Sequence, residues 1–292
     1  MKNNVLFLLF LLAGLTATLS ACNKKDEFSN EKLEDYMNLE VGKFVRYELD
    51  SLVYLFDRTY TEIKYQAKDV VNAVITDNAG RPAWRVIRYL RDSASTNEAD
   101  WKPNITYTIT VLPASVEVNE ENIRFIKLKL PIIDGYTWKG NSYIHPDSFE
   151  PSFSINSWDY KYENVSTPFS FNDGRMIDST ITINQIDEVL GNPDNPFTYT
   201  TKNFSKEVYG KRIGLVYKEF FHSEYQTFYS TANCYYVRCA SNTCDTINCP
   251  NNNIECDSNL TRGYSKYCRD STLSDFYYAN SYGIRLTMVD HN

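Results

Sequence analysis

The sequence predicts an all-β protein built on a single large, strongly curved antiparallel sheet, either a half-barrel or a two-layer sandwich. Three observations lead there. The chain is rich in residue types that suit a pleated, half-buried surface, with 23 Tyr, 16 Phe and 4 Trp among 292 residues. Apolar and polar residues alternate with a period of two in one segment after another. No apolar period of 3.6 residues lasts long enough to supply the helices of βαβ crossovers, so the strands must be joined by hairpins. About ten strands are legible, and a sheet of that size curls or folds over rather than staying flat.

The first strand is marked by Val45, Tyr47 and Leu49 alternating with Arg46, Glu48 and Asp50. Ile63, Tyr65 and Ala67 then alternate with Lys64, Gln66 and Lys68, and the pattern runs on through Val71, Ala73 and Ile75 to the turn residues Asp77-Asn78-Ala79-Gly80. Trp84, Val86 and Leu90 form the return strand. Ile105, Tyr107, Ile109 and Val111 interleave with threonines, and Ile126, Leu128 and Leu130 with Lys127 and Lys129, which predicts a pair of strands turning at Asn119-Glu120-Glu121-Asn122. Pro131 to Asn141 interrupts the sheet. A long hairpin follows over 158–165 and 177–186, with Asn172-Asp173-Gly174 at its turn. Residues 208–226 and 282–290 supply the last strands, the final one pointing Ile284, Leu286 and Met288 inward.

Ahead of this domain lies a different kind of sequence. Lys2 is followed by a nearly unbroken apolar run from Val5 to Leu12 that continues through Ala13 and Leu15. It is shorter than the about 20 residues of a spanning helix, and it fits a secretory signal. The run ends in Leu19-Ser20-Ala21-Cys22, which resembles the lipobox of bacterial lipoproteins. That resemblance implies cleavage before Cys22, a diacylglyceryl thioether on its sulfur and acylation of the new amino group. Each buried methylene contributes about 0.8 kcal/mol, so two or more chains anchor stably where one does not.

Lys25-Asp26-Glu27 resembles the signal that sends lipoproteins of Bacteroidota to the outer face of the outer membrane; a periplasmic orientation is the alternative. Three further stretches resemble secreted outer-membrane lipoproteins of the same group. They are Leu39 to Tyr47 with its Val41-Gly42 pair, Gly135-Tyr136-Thr137-Trp138-Lys139-Gly140-Asn141 after a proline, and Ile213 to Glu219. The resemblance carries no activity with it. The expected division is a signal peptide over 1–21, a lipidated N-terminus and flexible tether over 22–38, and one β domain over 39–292.

Six cysteines remain once Cys22 is lipidated: Cys234, Cys239, Cys244, Cys249, Cys256 and Cys268. In an exported protein an even number confined to one stretch reads as three disulfides. Residues 231–275 are rich in Asn, Ser, Thr and Asp and cannot pack by hydrophobic burial, so cross-links must hold them, and the sequence does not choose the pairing. This stretch is expected to be an insertion between the last two strands of the sheet. Its four-residue gaps are not zinc-knuckle spacing, and it contains no histidine.

The formal charge is −7, and loss of Lys2 with the leader makes it −8. Charge is spread along the chain without a basic stripe, which argues against nucleic acid as a partner. No nucleophile elbow, P-loop, dinucleotide fingerprint or His-Glu-x-x-His occurs, and no cofactor is expected. His222 and Glu224 share a strand face and are the only candidates for metal ligation, but a site needs a third group, which His291 would have to provide. Asp187 and Glu188 point to opposite faces of a strand and cannot converge on one bond unaided.

Asp followed by Ser or Thr and then a small or aliphatic residue resembles the O-glycosylation sequon of Bacteroidota. It marks Ser51, Ser93, Ser179, Thr246 and Ser271, against about one or two matches from ordinary residue frequencies. The expected protein is therefore surface-exposed, held to the membrane by its N-terminal lipid, and non-catalytic. It would bind a glycan, lipid or peptide, or act as an accessory to an outer-membrane protein. The alternative is an extracellular hydrolase acting on a polymer.

Overall fold

The computed structural model describes residues 31–54, 60–146, 155–192, 199–228, 234–240, 243–249, 265–268 and 275–292. The strands of the first half are β1 (Phe44–Tyr54), β2 (Tyr60–Thr76), β3 (Pro82–Asp92), β4 (Lys102–Val111), β5 (Ser115–Glu120) and β6 (Ile123–Lys129). Those of the second half are β7 (Thr137–Lys139), β8 (Asp159–Ser170), β9 (Met176–Leu190), β10 (Thr200–Gly210) and β11 (Gly214–Phe228). They are followed by β12 (Cys234–Ala240), β13 (Thr243–Cys249), β14 (Ser265–Cys268) and β15 (Asp275–His291). No α-helix occurs among the described residues.

Twelve strands form one antiparallel sheet in the order β6-β5-β4-β3-β2-β1-β15-β11-β10-β9-β8-β7. The two halves of the chain walk away from each other, and β15 lies between β1 and β11 and joins them. The sheet curls until its edges meet. Across the seam the Ile126 amide donates to the Gly140 carbonyl at 2.7 Å, and the Trp138 indole donates to the Ile126 carbonyl at 2.8 Å. The Tyr162 hydroxyl bonds both the amide and the carbonyl of Lys129 at 2.9 Å. The result is a nearly closed barrel, neither a half-barrel nor a two-layer sandwich. Gly140 is required there, because a Cβ would overlap the Tyr160 ring.

The inward alternation read from the sequence accounts for much of the lining. Val45, Tyr47, Leu49, Ala67, Val86, Ile109, Leu286 and Met288 are all buried. Three local expectations need correction. The chain over 105–130 holds three strands: Val116, Glu117 and Val118 are buried in β5, and the tight turn is Glu121-Asn122, both at positive φ. Residues 208–226 divide into β10 and β11 around the turn at Lys211, Arg212 and Ile213. Leu33, Tyr36 and Met37, placed by the sequence in the tether, sit in the core instead, at 4%, 0% and 7% exposure. Leu33 and Tyr36 belong to a 3₁₀ turn, Leu33–Tyr36, that Met37 directly follows, and the carbonyl of Asp35 accepts the Arg212 amide at 2.5 Å. A single such turn buries three side chains without showing a period long enough to read.

The strands β13, β12 and β14 form a separate three-stranded sheet that lies in the chain between β11 and β15. Its backbone register sets Cys234 opposite Cys249 and Cys268, and Cys239 opposite Cys244. Cys256, and the leader with Cys22, lie outside the described residues.

Candidate functional site

The barrel interior contains a cavity of about 90 Å³ lined by residues of both halves. Its walls combine aliphatic side chains such as Val71, Val86, Ile109, Val118 and Leu215 with an unusual number of charged groups. The strands set these charges by register. Asp69 on β2 lies directly opposite Arg88 on β3, and Glu207 on β10 directly opposite Lys218 on β11.

Asp69 and Arg88 are joined by two parallel hydrogen bonds of 2.6 Å, and the Tyr107 hydroxyl adds a third to Asp69 at 2.9 Å. Glu207 is gripped from the other side of the barrel. The Lys127 ammonium donates to one of its oxygens at 2.6 Å, and the Tyr209 hydroxyl donates to the other at 2.8 Å. Because β6 and β10 are not neighbours in the sheet, Lys127 and Glu207 form a strut across the lumen. Burial raises the carboxyl pKa of Glu207, but Lys127 and Lys218 outweigh it and hold the group below its ordinary value. Burial also pushes the hydroxyls of Tyr47, Tyr107 and Tyr209 well up, with the adjacent carboxylates adding to the effect.

Two cavity groups are engaged differently. Lys218 has its nearest carboxylate oxygen, on Glu207, at 3.9 Å and keeps 21% of its side-chain surface. The Glu120 carboxylate makes no hydrogen bond or ion pair with a described residue. Burial lowers the Lys218 pKa, while Lys218, Arg88 and Lys127 together overcome the burial of Glu120 and hold its carboxyl low.

The structure brings His222 and Glu224 together on β11 but separates them by a register irregularity. His222 is 2% exposed and its Nδ1 lies 2.6 Å from Asn203 Oδ1; Glu224 accepts the Tyr199 hydroxyl at 3.0 Å. His291 pairs with Val45 on β1, whereas His222 faces Tyr282 on the same strand β15, nine residues away. That spacing is about 30 Å. No group of metal-ligating side chains occurs among the described residues, so the sequence candidates do not gather a third ligand. Asp187 and Glu188 are both exposed on β9.

Burial holds the His222 pKa down, with Glu224 pulling weakly the other way. A folded-state value below the unfolded one of about 6.5 gives a stability contribution that is present above pH 6.5 and lost as pH falls through the folded value. The His222 ring is accordingly expected to be neutral at pH 7. Two-dimensional NMR of labelled histidine should show it titrating below the ordinary histidine value of about 6.5.

The sequons are placed unequally. Ser51 lies within β1 and is paired on both sides, and Ser179 lies within β9. Ser93 is exposed in the turn after β3, where Asp92 Oδ1 accepts the Ala94 amide at 2.8 Å. Thr246 is in β13, and Ser271 lies outside the described residues. If the sequon is used, Ser93 is the accessible hydroxyl among the first three. The intact mass of native protein should exceed that of a Ser93→Ala variant by a glycan mass beyond the oxygen lost.

Site residues that the sequence reading did not single out are Asp69, Arg88, Lys127, Glu207, Lys218 and Glu120. Two signals were present, since Asp69 and Arg88 occupy inward positions of well-marked alternating strands. The geometry defines a nearly closed meander barrel with a charge-paired, partly apolar interior. No family model, curated protein or solved structure matches this chain.

Proposed function

We propose that the chain is a surface-exposed, lipid-anchored, non-catalytic binding or accessory protein of the outer membrane, anchored through Cys22. Three disulfides among the six remaining cysteines would staple the segment between β11 and β15, and glycan, lipid or peptide are the ligand classes. The observation that carries the reading is how the interior acids are used. Asp69 and Glu207 are each held by a cation and a tyrosine hydroxyl, which ties them into the scaffold instead of leaving a convergent pair for general acid and base work. A concave site whose aliphatic walls carry polar groups in fixed positions is a usual form of binding site.

The outer face supports a water-exposed setting. Arg46 with Asp290, Lys64 with Asp50 and Glu62, and Arg285 with Asp50 form ion pairs there. A membrane-spanning barrel would instead present an apolar outer band about 25 Å tall.

The test is a thermal-shift screen of the purified protein against glycans, lipids and peptides, with product analysis on the same samples. A ligand bound only by the folded state raises Tm. Stabilisation without turnover is the expected result. Turnover that disappears in His222→Ala or Glu224→Ala would transfer the protein to the hydrolases.

A further inference from the structure

We propose that the barrel cavity binds a small zwitterion, a molecule with an amine and a carboxylate a few bonds apart and little more than a methyl group besides. The proposal rests on the binding reading above and adds a small-ligand site in the interior.

Asp69 and Glu207 each have both carboxylate oxygens engaged, by Arg88 and Tyr107 and by Lys127 and Tyr209. That leaves the Lys218 ammonium, with its nearest carboxylate oxygen at 3.9 Å, and the Glu120 carboxylate, with no partner among the described residues. One offers three donors and the other two acceptor oxygens, and both line the same cavity. They also act on each other, since Lys218 is the strongest charge felt by Glu120. A ligand that presents a carboxylate to Lys218 and an ammonium to Glu120 completes both in one step. It also brings no net charge into a low-dielectric space, where an uncompensated ion is costly.

Other ligand types fit less well. A bare carboxylate would leave Glu120 without a donor and add a fourth carboxylate to the three that line the cavity. A bare amine is disfavoured because Lys43 also lines the cavity, so that cations (Lys43, Arg88, Lys127, Lys218) outnumber carboxylates (Asp69, Glu120, Glu207) by four to three. Size sets the other limit. At about 90 Å³ the cavity is well short of the roughly 300 Å³ or more that a drug-sized ligand fills. The aliphatic walls, Val71, Val86, Ile109 and Val118, suit a short apolar substituent.

The experiment uses the full mature chain and compares glycine and alanine with acetate, methylammonium and ethylene glycol at equal concentration and ionic strength. Glycine and alanine should raise Tm by about 2–4 °C or more in a concentration-dependent way, and the three controls should not. Lys218→Met and Glu120→Gln should each reduce the shift at least tenfold in ligand concentration while remaining folded by circular dichroism. Equal shifts with acetate, or shifts that persist in both variants, would overturn the proposal. Should either variant not fold, chemical-shift changes at Val71 and Val118 methyls of the unsubstituted protein on glycine addition decide instead, and their absence counts against the site. Stabilisation by glycans, lipids or peptides with none by the zwitterions defeats this inference and leaves the binding function standing. No stabilisation by any ligand defeats both.

Discussion

Replacing Lys127 with methionine is expected to cost about 3–5 kcal/mol of folding stability, because it leaves the Glu207 carboxylate, 1% exposed, without its cation inside the barrel. Lys218 at 3.9 Å is too distant to replace the 2.6 Å bond. The matching double variant, Lys127→Met with Glu207→Met, should recover most of the loss, since an apolar pair in place of a buried ion pair is often neutral or stabilising. Urea unfolding of the wild type, both single variants and the double variant measures the coupling directly. A double variant as unstable as Lys127→Met would mean that the strut is needed for shape and not only for charge balance.

The same pair gives an acid dependence. Glu207 has its carboxyl held below the ordinary glutamate value, so its contribution is present above about pH 4.5 and lost as pH falls through the folded value. The slope of stability against pH in that range should be shallower in Glu207→Met than in the wild type.

Trp138→Ala should be comparably damaging, at about 3–5 kcal/mol, for a different reason. Trp138 is 4% exposed, packs against Tyr136, Tyr160 and Tyr162 with ring centroids 6.2, 5.7 and 4.6 Å away, and bonds the Ile126 carbonyl across the seam. Truncation leaves a cavity at the line where the barrel closes and frees a backbone acceptor on an edge strand. Trp138→Phe keeps most of the ring packing and loses the hydrogen bond, at about 1–3 kcal/mol. Denaturant midpoints rank the two, and faster aggregation of the alanine variant would show that the seam shields the sheet edge.

Much of the barrel was legible because alternation is a local property. Tyr47 and Leu49, Ala67, Val86 and Leu286 could be set on one face by counting in twos, and that face is the interior. Counting failed at the irregularities. In β6 Ile126 pairs with Glu117 and Leu128 with Val116, so Lys127 is the extra residue of a bulge, and the bulge turns it into the barrel. Read by strict alternation it belonged outside with Lys129. The strand β5 was missed for a related reason: Glu117, at an apparently outward position, is itself buried under Arg81 and Tyr143. Two charged residues thus carried the wrong signal for burial.

By itself the sequence determined the all-β class, the antiparallel hairpin connections and the larger part of the inward face, since each follows from neighbours a few residues apart. Only the tertiary structure decided that the curled sheet meets itself at Ile126 and Gly140, that β15 bridges the halves, and that Lys127 finds Glu207 80 positions away. Those outcomes depend on the summed twist and register of twelve strands. No local pattern records that sum, and a single bulge changes which side chains share the interior.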